Sequence, residues 1–367
     1  MLRIRAAVAR EKEAPLSLEE LTLDDPRSDE VLVEVSAVGL CHTDVAVRNQ
    51  WMPVPLPIVL GHEGAGIVRA VGKSVTKVAP GDHVVMTYWH CGECQYCASG
   101  HPAYCVDHAT WTTGGSRPDG TNALHGDGSV HGFFFAQSSF ASHAIATERN
   151  AVKVGADEDL IVAGPLACGL QTGAGTVMNR LAPPVGSSIA VFGAGAVGLA
   201  AVMAAKVVGC TTIIAVDVHP SRLDLAQELG ATHTIDASAG RDVMQALRAV
   251  APSGVNYSVE TSAVPAVAAQ AIDCLAPTGT CAILGVGPRG TALSTDMTRL
   301  LSTGRTITGV AMGDTRPDKF IPVLLDLHRQ GRFPADRLIT TYSLNEINQA
   351  IDDVESGKIV KAVLVPG

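Results

Sequence analysis

Residues 188–198 read Ser188-Ile189-Ala190-Val191-Phe192-Gly193-Ala194-Gly195-Ala196-Val197-Gly198. Five residues of strand character enter a glycine-rich turn, and an apolar helical run over 197–208 follows, with Gly209 as a natural C-terminal cap. GxGxxG alone is a common pattern, but between a strand and a helix it is the phosphate-cradling turn of a dinucleotide fold. There Gly193 makes the tight turn, Gly195 lets backbone approach a pyrophosphate, and Gly198 lets helix pack on strand. Ala196 and Val197 open the helix, whose free N–H groups meet the phosphates. Asp217 follows Gly198 by nineteen residues, at the end of the next strand. An acid there accepts from the adenosine ribose hydroxyls and repels a 2′-phosphate, so NAD is expected over NADP. Arg222 lies close by, a cation that pairs with the carboxylate or softens that preference.

Outward from this stretch the pattern alternates. Strands are expected at 212–216, 232–235, 255–260 and 280–284, with helices at 220–229, 242–250 and 265–275. That is α/β, a doubly wound parallel sheet. The glycine-rich loop 285–290 falls at a strand's C-terminal end, where such sheets place a ligand crevice. Residues 1–40, and the segments 66–71 and 83–86, read instead as short β-branched strands between Gly and Asp/Pro turns, an antiparallel barrel-like domain. Residues 106–132 carry few apolar groups and read as one long functional loop. The tail holds helices at 318–330 and 344–356 and a strand at 361–365.

At 367 residues the chain is long enough for two domains with full cores, and 47% hydrophobic with 17% charged residues describes a globular enzyme. A net charge of −9 argues against nucleic acid or an anionic membrane as partner. The uncharged run 189–205 is broken by Gly193, Gly195 and Gly198, and the N-terminal segment carries too many charges for a signal peptide. Nine cysteines without a secretory signature fit a reducing compartment, hence the cytoplasm.

Six of those cysteines fall into two groups. Cys91, Cys94 and Cys97 at spacings of three, then Cys105, can wrap one tetrahedral zinc ion as a closed structural site, although an iron–sulfur cluster would use the same thiols. The second group is Cys41, His62 and Cys168, each weak alone. Two cysteines and one histidine leave a fourth zinc position open, which is the catalytic pattern. Cys210, Cys274 and Cys281 remain as buried small hydrophobes.

With CHTD at 41–44, GHE at 61–63, CGECQYC at 91–97 with Cys105, ACGLQTGAG at 167–175 and GAGAVG at 193–198, the chain resembles the zinc-dependent medium-chain alcohol dehydrogenases over essentially its whole length. The segment FFFAQSSFASHA at 133–144 is similar to the benzyl, aryl and allylic (geraniol-like) members. The resemblance implies a β-rich, GroES-like catalytic domain with a structural zinc lobe, discontinuous over 1–169 and 312–367, and a dinucleotide-binding domain over 170–311. It implies two zinc ions and NAD, and oxidation of primary alcohols to aldehydes, or the reverse, by hydride transfer from a zinc-bound alkoxide.

On this resemblance Thr43 is the hydroxyl that bonds the alcohol, Glu63 lies close to the metal, and Asp44 receives the N–H of His62. His42, Thr172 and Lys361 join the cofactor residues. His42 stands where relatives often carry Arg, and an imidazole grips phosphate more weakly than a guanidinium. Ala46 stands where many relatives carry the proton-relaying histidine. Trp51, Met52, Tyr88, Trp89 and Phe140 fall at or near substrate-channel positions and suggest a planar or unsaturated apolar substrate. A thiol-adduct formaldehyde dehydrogenase is the alternative, with His108 and Arg117 as candidate partners for the adduct's carboxylate. A zinc-free reductase or binding protein on the same scaffold is the remote one. The length between Cys105 and Cys168 implies a homodimer, with a tetramer as the other option.

Overall fold

The strand Glu30–Gly39 alternates buried and half-buried side chains and pairs on several sides, as a central antiparallel strand should. In this computed structural model, which describes residues 1–238 and 240–367, it organises the first of two units. That unit comprises Met1–Cys168, Arg316–Leu325 and Asp336–Gly367. Glu30–Gly39 pairs antiparallel with Gly64–Val71, with His143–Thr147 and, at its end, with Lys361–Val365. A smaller sheet joins Leu2–Ala9, Ser17–Leu23, Ile58–Val59 and Leu124–His125. The last strand matters most for the site, because the pairs Val363–Gly39 and Leu364–Val38 carry Lys361 beside Leu40. Residues 106–132, expected as bare loop, include a helix at His108–Thr113 and the short strand Leu124–His125.

The second unit is Gly169–Thr315 with Asp326–Ala335. Among the described residues its sheet has six parallel strands, and numbered along the chain they lie in the order 3-2-1-4-5-6. Ser188–Phe192 is the first strand, followed by the helix Ala196–Val208, whose Gly209 cap is left-handed. The strand expected at 280–284 begins earlier, at Leu275, because the preceding helix stops at Asp273 and an irregular register absorbs the turn. An edge strand, Thr306–Gly309, was not foreseen: TITG gives only four residues of strand character. Among the described residues no single helix is long and apolar enough to cross a membrane.

Candidate active site

Cys41 caps the helix His42–Arg48, and Asp44 in its first turn accepts from the Cys41 N–H at 3.0 Å. The same carboxylate accepts from the Gly61 N–H at 3.1 Å and meets His62 Nδ1 at 2.9 Å. One buried side chain thus fixes two stretches of sequence and directs the other ring nitrogen, Nε2, away from itself. Nε2 is buried and has no hydrogen-bond partner among the described residues. Cys168, after the short helix Gly164–Ala167, brings a third donor, and the ligand atoms of Cys41, His62, Glu63 and Cys168 all lie within 4.8 Å of one another.

Glu63 is fully buried and pairs with Lys361 Nζ at 2.5 Å, while Lys361, itself 2% exposed, also donates to the Leu40 carbonyl at 2.8 Å. Burial pushes the Glu63 carboxyl above its ordinary value, with Lys361 opposing. Burial works to lower Lys361, but Glu63 and Cys41 outweigh it and hold the ammonium charged. The Cys41 thiol is pulled well down by its hydrogen bond with Cys168 and by nearby His62. His62 feels the converse: burial disfavours its cation, yet Asp44 and Cys41 raise it well above the usual value. The negative groups that raise it, Asp44 and Cys41, also draw a metal cation toward Nε2. Two thiols, an imidazole and a nearby carboxylate are zinc donors, and the three-ligand set leaves a position for substrate oxygen. The residues fit the ion.

The second cluster is local. Cys91, Cys94, Cys97 and Cys105 gather their sulfurs within 4.8 Å of one another. Cys91 and Cys97 are 3.9 Å apart at sulfur, against about 3.8 Å for two thiolates on one tetrahedral zinc. Backbone N–H groups of Cys97 and Val106 bring Cys94 down to about 6, whereas burial pushes Cys97 up to about 12. Four thiolates so close repel one another unless a cation sits among them, and here too the donors fit zinc.

In the second unit, Gly193 is left-handed at φ 92°, and a Cβ on Gly198 would run into the Gly193 carbonyl. Nothing lies within 4 Å of where a Gly195 Cβ would point, which leaves that backbone approachable by a phosphate. Asp217 ends the strand Thr212–Asp217 and holds the turn: one carboxylate oxygen accepts from Ala194 N–H at 2.6 Å, the other from His219 N–H at 2.8 Å. Each oxygen keeps a lone pair for a ribose hydroxyl.

Residues 27–156 match the alcohol dehydrogenase GroES-like domain family, and residues 196–329 the zinc-binding dehydrogenase family. The chain is 44% identical over 363 residues to the geraniol dehydrogenase of Castellaniella defragrans, covering 98% of this chain and 97% of that one. The chain belongs to the zinc-dependent medium-chain alcohol dehydrogenases. Two solved structures superpose over the full length of both chains with a TM-score of 0.97. One is an alcohol dehydrogenase zinc-binding domain protein from Burkholderia ambifaria at 52% identity, the other the benzyl alcohol dehydrogenase of Acinetobacter calcoaceticus at 45%. Like its relatives in this family, the chain is an enzyme with alcohol dehydrogenase activity and a zinc-binding fold.

Within this dehydrogenase the expected site residues have different fates. Thr43 Oγ1 lies 3.7 Å from Cys41 Sγ, and His42 is exposed, its ring 5.8 Å from that of Trp51. Met52 is half-buried beside Trp51, and Trp89 stacks on Trp111 with centroids 4.6 Å apart. Thr172 lies in the helix Gly169–Gly175 with its carbonyl accepting from Thr176, and Arg222 lies in the first turn of the helix Pro220–Leu229.

The remaining residues lie deeper in the first unit. Lys361, expected at the cofactor, has its ammonium enclosed by Glu63 and Leu40, because strand pairing draws it inward. Phe140 and Tyr88 show no exposed surface; Phe140 packs so tightly on the Gly61 turn that a Cβ there would collide with it. Ala46 is fully buried on the inner face of its helix, so a histidine could not act there without overpacking the core. Arg117, offered for the adduct's carboxylate, is buried in a two-point ion pair with Glu30, at 2.6 and 2.9 Å.

Sequence reasoning missed two supports. Gln137 Nε2 donates to the carbonyls of His62 and Met86, at 3.0 and 2.9 Å, and its oxygen accepts from Gly64 N–H at 3.1 Å. Phe135 stacks on the His62 ring with centroids 4.4 Å apart. Both come from the segment 133–138, where Phe133, Phe135, Ala136 and Ser138 all have left-handed φ. Such conformations cost on the order of 1 kcal/mol or more each and persist where the surroundings impose them. The run of three phenylalanines before Gln137 was the available signal.

Proposed function

We propose that the enzyme oxidises primary alcohols with an aromatic or allylic carbon beside the reacting carbon, and reduces the matching aldehydes, using NAD. The carrying observation is the cluster Cys41, His62 and Cys168, tied by Asp44 and walled by rings. His62 stacks on Phe135, and Phe135 meets His108 edge-on at 6.4 Å. A flat apolar group is well matched to such a wall. The names of the geraniol and benzyl alcohol relatives support the same class.

A zinc ion held by Cys41, His62 and Cys168 would supply the Lewis acidity that makes an alcohol proton acidic near neutral pH. NAD on the turn 193–198 would accept the hydride. The chain's own residues do the rest. Asp44 fixes the tautomer and angle of His62, Gln137 holds the His62 backbone, and the Thr43 hydroxyl is positioned to take up the alcohol's proton. With Ala46 buried, that proton leaves by way of Thr43 or exposed His42. A second zinc on Cys91, Cys94, Cys97 and Cys105 would be structural, giving two per chain. The loss of Arg117 to Glu30 disfavours the thiol-adduct reading.

The homodimer is supported by the edge strand Thr306–Gly309, which has one strand neighbour, and by Met297 and Leu301 on the adjacent helix, each more than four-fifths exposed. A cytoplasmic location is supported by the grouping of six of the nine cysteines as zinc donors.

The test is a rate survey with NAD over benzyl, cinnamyl, geranyl and ethyl alcohols. We expect kcat/KM for the first three to exceed that for ethanol by about tenfold or more, and equal values would overturn the substrate class. Asp217→Gly tests the coenzyme: NADP use should rise and NAD affinity fall, whereas a wild type that uses both equally refutes the preference.

A further inference from the structure

The parallel sheet has a pocket at the end opposite the glycine-rich turn. It lies where the strands Val255–Glu260 and Leu275–Ile283 begin, beside the residue that precedes Thr306–Gly309. Its volume is about 140 Å³, and Arg248, Arg299, Arg305 and Asp273 supply its charged lining. A water needs on the order of 10–15 Å³ of such space, so the pocket holds several waters or one small anion.

Three guanidinium groups and one carboxylate line the pocket. Arg299 engages Asp273, with Nη1 2.5 Å from Oδ1 and Nη2 3.3 Å from the Asp273 carbonyl. Arg305 donates from Nη2 to the Leu275 carbonyl. These contacts alone suit arginines placed at the C-terminal end of the helix Pro265–Asp273. They leave a remainder. The Arg305 side chain is 7% exposed, and its Nε and Nη1 are buried without a hydrogen-bond partner; Nη1 is 3.9 Å from Asp273. Burial and neighbouring Arg299 pull the Arg305 guanidinium below its ordinary value. Arg248, exposed at the rim in the last turn of the helix Val243–Val250, has no side-chain partner among the described residues.

A buried guanidinium with one unmatched donor, Nε, and another, Nη1, held only by a 3.9 Å ion pair, in a cavity lined by two further arginines and one carboxylate, is the chemistry of an oxyanion receptor. We infer that this pocket binds a small oxyanion, inorganic phosphate or a short carboxylate, through the Arg305 guanidinium with Arg248 closing over it. The site is independent of the dinucleotide turn, which lies at the strands' other ends.

Calorimetric titration of the zinc-loaded enzyme, saturated with NADH and held at fixed ionic strength, tests this with phosphate and acetate in separate arms. The structure predicts saturable binding of at least one anion, and whichever arm responds names the source. Arg248→Gln, a rim change that leaves folding and alcohol oxidation intact, should weaken binding by about tenfold, and Arg305→Met should abolish it. Arg305→Lys, which keeps the charge but loses the fork, should bind more weakly than wild type even if Arg305→Met does not fold. No saturable heat with either anion, or Arg248→Gln and Arg305→Lys binding as wild type does, would overturn the proposal.

Discussion

Cys91, Cys94, Cys97 and Cys105 come from one stretch of fifteen residues, while Cys41, His62 and Cys168 come from three separate stretches. The local cluster is partly exposed and is held by little besides its own loop: Cys91 N–H points at the Cys105 sulfur and Cys94 N–H at the Cys91 sulfur. The assembled cluster is pre-formed by groups outside its Cys41–His62–Cys168 set: Asp44, Gln137, Phe135 and the Lys361–Glu63 pair. A metal bound by a loop contributes folding energy, whereas a metal bound by a finished frame mainly contributes chemistry. The two clusters should therefore fail in different ways.

The largest effect should come from the local cluster. Cys94→Ser removes a ligand where zinc binding and folding are one free energy, worth ~10 kcal/mol or more. We expect thermal unfolding to fall by roughly ten degrees or more, with one zinc lost. Unchanged unfolding in a one-zinc protein would erase the contrast.

Next is the buried pair behind the assembled cluster. Lys361→Met strands the Glu63 carboxylate and should cost about 3–5 kcal/mol. Adding Glu63→Gln to it should restore part of that, since the stranded charge is then gone. Denaturant melts of the single and double variants measure this, and an additive pair would show that the two groups do not act together.

Asp44→Asn should keep the fold but lower zinc affinity at the assembled site by about 10–100-fold, read by competition with a chelator. An unchanged affinity would mean that Asp44 only caps a helix. The smallest effect in the series is expected for Gly39→Ala. Its new methyl meets Glu63 Oε2 and Lys361 Cε, so it should disturb that pair without removing either charge, at about 1–3 kcal/mol. Melting as wild type would mean that the pair can shift freely.

The same contrast explains what was legible. The turn 193–198 and the four local cysteines could be read because their chemistry is written in consecutive residues. The strand Ser188–Phe192 and the helix Pro220–Leu229 could be placed because apolar periodicity and a Pro or Gly at the ends are local signals. Cys41, His62 and Cys168 were legible only through a family resemblance, since nothing in three scattered residues says that they meet. The burial of Lys361 and Phe140 was not legible for a related reason. Which way a strand residue faces depends on its partner strand, here Glu30–Gly39 for Lys361, and that pairing spans most of the chain. Gln137 was missed because a glutamine that satisfies backbone groups from four other residues has no sequence pattern of its own.

The most direct test of the account is the zinc content of His62→Ala, measured alongside its unfolding temperature and its oxidation of benzyl alcohol. The account predicts two zinc ions per chain in wild type and one in the variant, a fold that survives on the frame of Asp44, Gln137 and Lys361–Glu63, and no alcohol oxidation. Two zinc ions per chain with oxidation retained would contradict it.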